Sequence, residues 1–149
     1  MSYSYSLILT ATLSTNEVLH LLSQLPGFEP PEGRVTVGPD IVASVRLADQ
    51  EDKEFALEYE GFGPDLSVYM THKRGNKDSL LEADNVIRVT MLLLHHCTGN
   101  AVLRAEGALW LRLHNNTLLI NSEGELWTEF QELLPLVTLP YQDVPLPDD

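Results

Sequence analysis

The chain reads as an α+β fold, an antiparallel sheet of about six to seven strands with one long helix packed on a face and two shorter helices. Three observations predict it. Short segments of alternating polar and apolar residues recur in both halves, bounded by Gly, Pro or Asn turn signals. One long apolar helical stripe occupies residues 80–97. The 149 residues, 44% of them hydrophobic, show no repeat, low-complexity tract or interior linker, so residues 1–149 are expected to form a single domain.

Residues 3–12 alternate, with Tyr3, Tyr5, Leu7, Leu9 and Ala11 on one face of a strand. Ser14 and Glu17 then form a capping-box pattern ahead of Val18, Leu19, Leu22 and Leu25, a short helix stopped by Pro26-Gly27. Residues 35–37 and 41–48 read as strand segments broken at Gly38-Pro39. Phe55, Leu57 and Tyr59 alternate with Glu58 and Glu60, and Leu66, Val68 and Met70 alternate again, which suggests a three-strand meander. Ser79 and Glu82 give a second capping box, opening the long helix with Leu80, Ala83, Ile87, Met91 and Leu94 on its buried face. Residues 101–105, 109–114 and 117–120 read as strands, the last two joined by Asn115-Asn116, which tolerates the positive φ of a tight hairpin. Trp127, Phe130, Leu133 and Leu134 mark a third short helix before Pro135, and the chain after Pro140 is expected to be extended.

Charge is the sharpest compositional signal. Twenty-two acidic against nine basic side chains give a formal net charge of −13. Such a chain is repelled by nucleic-acid backbones and anionic lipid, so neither is an expected partner. Solubility alone also favours acidity, but here the acids cluster. Asp49, Glu51, Asp52, Glu54, Glu58, Glu60 and Asp65 fall in one stretch relieved only by Lys53, and residues 121–149 contain no Lys or Arg. The reading is a basic protein partner met by Glu51, Asp52, Glu54, Glu58, Glu60 and Asp65. No apolar run reaches the roughly eighteen residues of a membrane span. The start has no basic region before a hydrophobic stretch, and Cys97 is single, so a reduced, cytoplasmic protein is expected.

Little else points to chemistry. His95, His96 and Cys97 have metal-ligand types, but neighbours on a helix diverge by roughly 100°, so no metal is expected there. Glu58 and Glu60, on one strand face, resemble a glycosidase pair, though solvated charge explains them as well. The basic patch at residues 72–77 reads as a solvated loop, and Trp110 and Trp127 as packing residues, Trp127 an anchor for a partner if exposed. No nucleophile elbow, phosphate-cradling glycine loop or His-Glu-x-x-His is present, and no cofactor or catalytic residue is expected.

The second half carries a resemblance. Thr98-Gly99-Asn100-Ala101-Val102-Leu103, Glu106-Gly107-Ala108-Leu109-Trp110-Leu111 and Leu118-Leu119-Ile120-Asn121 follow a helix ending in leucines. Over about residues 80–127 this order resembles the swarming-inhibition (Sit) immunity proteins of social bacteria. The resemblance implies a cytoplasmic, non-enzymatic protein that protects its producer from a toxin exchanged between kin cells. With the acidic balance, it gives the expected function: binding and neutralising a basic toxin domain of the kind a nuclease presents. The rivals are a DNA mimic or other acidic inhibitor of a nucleic-acid-binding protein, and a small hydrolase, which would need a deep pocket with a perturbed carboxylate or histidine.

Overall fold

The computed structural model describes residues 4–73, 79–106 and 108–146, Thr98 by its backbone alone. Eight strands form one sheet: β1 (Tyr5–Ala11), β2 (Val35–Val37), β3 (Ile41–Leu47), β4 (Leu66–His72), β5 (Cys97–Ala105), β6 (Ala108–His114), β7 (Thr117–Ile120) and β8 (Tyr141–Asp143). Their order across the sheet is β2-β3-β4-β1-β5-β6-β7-β8. Every pairing is antiparallel except β7 with β8. The helices are α1 (Thr15–Ser23), α2 (Gln50–Glu60), α3 (Ser79–Leu94) and α4 (Glu125–Glu129), the last running into a 3-10 segment at Gln131–Leu136.

Register decides which side chains share a face. Leu7 of β1 lies opposite Val68 of β4 and Leu103 of β5, and Leu9 opposite Leu66 and Ala101. All six are buried, and with Ile41, Ala43 and Val45 of β3 they form the inner face. Against that face pack α1, through Val18, Leu19 and Leu22, and α3, through Ala83, Val86, Ile87, Val89, Leu93 and Leu94. Trp110 and Trp127 close the far end, their rings stacked with centroids 5.5 Å apart while Trp127 Nε1 donates to the Trp110 carbonyl at 2.7 Å. Both are buried, so Trp127 is a packing residue and offers no exposed anchor.

Because Leu94 is nearly fully buried beneath the sheet, Leu94→Ala is expected to cost about 2–5 kcal/mol through lost burial and a residual cavity. Denaturant unfolding measures this directly; a loss below about 1 kcal/mol would mean that the site collapses around the deletion.

Local chemistry explains most boundaries. Ser14 and Glu17 form their capping box, each side chain bonding the other's backbone N–H. Asn115 and Asn116 both take positive φ, 48° and 67°, in the tight β6–β7 hairpin. Gly38 sits where an added Cβ would fall 2.4 Å from the Phe28 ring, so any side chain there would displace that ring.

Several expectations are corrected. The sheet has eight strands rather than six or seven, since the extended tail pairs with β7 as β8. The long helix ends at Leu94; His95 and His96 form a turn and Cys97 begins β5, so those three do not share a helix. Ser79 is already helical, and Glu82 does not turn back on it as a capping box requires but points into the core, where its Oε2 accepts the Tyr5 hydroxyl at 3.2 Å. Leu80 is partly exposed and does not join the buried face. The third short helix is one turn of α-helix followed by a 3-10 segment containing Pro135.

The largest correction concerns residues 55–60. They are not the middle strand of a meander but the second half of α2, and β3 pairs directly with β4. Asp49 caps α2, accepting the Asp52 N–H at 2.8 Å while Asp52 reaches back to the Asp49 N–H at 3.3 Å. Left-handed Gly61 (φ 84°) ends it, its N–H donating to the Ala56 carbonyl at 3.1 Å. Helical ends override an alternation that is only apparent.

Candidate functional site: an ion-paired helix on the open sheet face

With α1, α3 and α4 on the inner face, α2 lies on the other. Its partners there are the alternate residues of the same strands: Arg46 of β3, Arg104 of β5 and Arg112 of β6. The apolar contact behind α2 is small. Ala56 is its one buried residue, and a minor cluster of Phe62, Val102 and Leu109, with Ile8 and Leu146 against it, lies just past its C-terminal end. Ion pairs therefore do much of the fastening.

The C-terminal clip is the stronger one. Arg104 donates to both Glu60 oxygens, Nε at 2.7 Å and Nη2 at 3.1 Å. Arg112 donates to Glu60 Oε1 at 2.9 Å and to the Glu60 carbonyl at 3.1 Å, satisfying a helix-end acceptor at the negative end of the dipole. The Glu60 side chain is only 9% exposed. Burial pushes its carboxyl up, but the hydrogen bonds and charges of Arg104 and Arg112 outweigh burial and hold it below the ordinary carboxylate value. At the other end Arg46 pairs with Asp52 at 3.1 Å, with the Arg46 side chain half exposed, a geometry that contributes little.

A depressed folded pKa makes the clip's stability fully present above the ordinary value near 4.5, and lost as pH falls through the lowered one. Glu60→Gln, which keeps shape and removes charge, is expected to cost about 1–3 kcal/mol at pH 7. The difference between wild type and variant should shrink toward pH 3. Unfolding at several pH values checks this, and a constant difference across the range would show that Glu60 ionisation does not hold α2.

The other acids of the stretch divide by position. Glu51, Glu54 and Glu58 lie along the outer crest of α2, exposed to solvent. Among the described residues none forms an ion pair; Glu54 accepts a hydrogen bond from Gln50 Nε2 at 3.1 Å. Asp65 lies beyond the helix, where its Oδ2 accepts the Ala11 N–H at 3.0 Å beside a bulge in β1. Glu58 and Glu60 do not share a face: two residues apart on a helix they point to opposite sides, one to solvent and one to the arginines. Nothing glycosidase-like remains of the pair.

On a strand, the alternation of Phe55, Leu57 and Tyr59 with the glutamates would give these three one packed face. They are 64%, 60% and 61% exposed. Phe55 and Tyr59, one turn apart, pack with ring centroids 4.6 Å apart and planes tilted by 42° on one flank of the acidic crest, and Leu57 lies on the other. Their i, i+4 spacing was the signal that could have revealed this ledge.

Elsewhere, His95 Nε2 lies 3.0 Å from Thr138 Oγ1. Among the described residues no three His, Cys, Asp or Glu side chains gather as metal ligands would. Of the basic patch, residues 74–77 lie outside the described residues, as do Asp148 and Asp149 of the acidic tail. No helix among the described residues is long and apolar enough to cross a membrane.

By fold and surface this is an α+β domain built on one mostly antiparallel sheet, with an acidic, aromatic-edged helix displayed on its open face. A family model described as SitI3-like matches residues 3–131, and the chain belongs to the SitI3-like family. Membership extends the resemblance of residues 80–127 to most of the chain and suggests an immunity protein with a cognate toxin partner. Searches of curated proteins and of solved structures gave no match.

Proposed function

We propose that this chain is a cytoplasmic immunity protein that binds a cognate toxin domain, basic at its contact surface as a nuclease's is, through the outer face of α2. It neutralises the toxin by occupation rather than by catalysis. The observation that carries this is the crest of Glu51, Glu54 and Glu58, without an ion-pair partner among the described residues, beside three large apolar side chains left in water. Exposed aromatics next to unpaired charge combine the two ingredients of a protein interface, a desolvating anchor and a steering field. Asp52, Glu60 and Asp65 serve the same surface from beneath, holding α2 and its flanking loop in place.

The test is to sequence the neighbouring reading frames, and to co-express the chain with a toxin domain that one of them encodes. A stoichiometric complex and survival of the host are expected. Survival without a complex, or turnover of the toxin or its substrate by the chain alone, would overturn binding as the mechanism.

A further inference from the structure

Beneath α2 runs a groove of about 390 Å³ between the helix and the open sheet face. Four of the residues lining it carry small side chains, Ala48 and Ala56 together with Ser6 and Ser67 of the strands. Ile8 and Val102 give it an apolar floor, and Phe55 forms part of its wall. Its size is near the lower limit of the roughly 300–1,000 Å³ of ligand sites, too large for a few waters alone and too small for an extended segment.

The charges of the lining say what fits. Two guanidiniums, Arg46 and Arg104, stand against three carboxylates, Glu51, Asp52 and Glu60. Arg46 is matched by Asp52, and Glu60 is held by Arg104 and by Arg112 just outside the lining, which leaves the Glu51 carboxylate as the one lining charge without an ion-pair partner among the described residues. Glu51 and Phe55 are one helical turn apart on the same edge of α2, so a free carboxylate and an aromatic ring flank one wall of an apolar slot. A wholly apolar guest would leave the Glu51 carboxylate beside it unmatched. A long side chain with an apolar stem and a cationic, planar head satisfies all three features.

We propose that this groove receives one arginine side chain of the toxin domain, its stem over Ile8 and Val102 and its guanidinium against Glu51 and the Phe55 ring. This rests on α2 being the toxin-binding surface and adds a specific lock to it.

The probe is N-acetyl-arginine amide, titrated into the isotope-labelled protein by NMR, with the neutral isostere N-acetyl-citrulline amide and the apolar N-acetyl-norleucine amide as comparators. Saturable millimolar binding is expected, with shifts at the Ile8, Ala56 and Val102 methyls, and at least fivefold weaker binding of either comparator. Glu51→Gln should weaken arginine amide binding at least fivefold. Ser67→Leu should fill the groove and abolish it. If Ser67→Leu fails to fold, Glu51→Gln decides alone. Equal binding of citrulline amide, an unchanged affinity in Glu51→Gln, or no saturable shift overturns the proposal. No toxin enters this experiment, so its failure leaves the outer crest of α2 as a separately testable interface.

Discussion

Reversing Glu51, Glu54 and Glu58 together to Lys should slow association with the toxin domain by about ten- to a thousandfold, the range over which electrostatic steering acts. The three carboxylates lie on one exposed stripe, and none has a cation partner among the described residues, so their field projects outward. Wild-type association should weaken steeply between low and moderate salt, because screening sets in at about 10 Å in 0.1 M salt. The variant should show little salt dependence, or the opposite sign. Net charge alone must be separated from position, since three reversals take the chain from −13 to −7. Glu125, Glu129 and Glu132 provide the control, being exposed acids on and beside α4, which packs on the opposite face of the sheet. Reversing those three changes net charge equally and should change the on-rate much less. Stopped-flow association across a salt series distinguishes the cases. Equal slowing by both triple variants would mean that the global charge steers and that the crest has no special part.

That control depends on α2 being a helix, the element the sequence hid best. Phe55-x-Leu57-x-Tyr59 satisfies a period of two, and helical periodicity had nothing to detect because α2 buries only Ala56. A helix fastened by ion pairs has no apolar stripe. Its ends were legible all the same, in Asp49 with Asp52 at the start and Gly61 at the stop. By contrast β1, the β6–β7 hairpin and α1 were read correctly, because each buries an alternating or stripe-like face or is fixed by its own turn chemistry. The acidic stretch was visible as a cluster, but its division was not. Glu60 finds Arg104 and Arg112 at separations of 44 and 52 residues, a pairing created by the sheet order and absent from any local spacing.

The division also assigns the two halves of binding to different side chains, and the second half carries the other large effect. Phe55→Ala with Tyr59→Ala should raise the dissociation rate of the toxin complex by about 30- to 1,000-fold, equivalent to roughly 2–4 kcal/mol of truncated anchor. Both rings are more than half exposed in the free chain, so the fold draws little from them. Alanine is the better helix former, which offsets part of the lost ring-on-ring contact, and unfolding free energy should move by no more than about 0.5–1 kcal/mol. Leaving the crest carboxylates in place should keep the on-rate and its salt dependence near wild type, the mirror image of the charge-reversed variant. Affinity changes in related complexes reside mostly in dissociation, so protection of cells should fail even though encounter is fast. Surface plasmon resonance with immobilised toxin domain, beside thermal unfolding of the free variant, resolves both quantities. A dissociation rate within threefold of wild type would remove Phe55 and Tyr59 from the interface, and a collapse in stability would show instead that the aromatic ledge serves the fold.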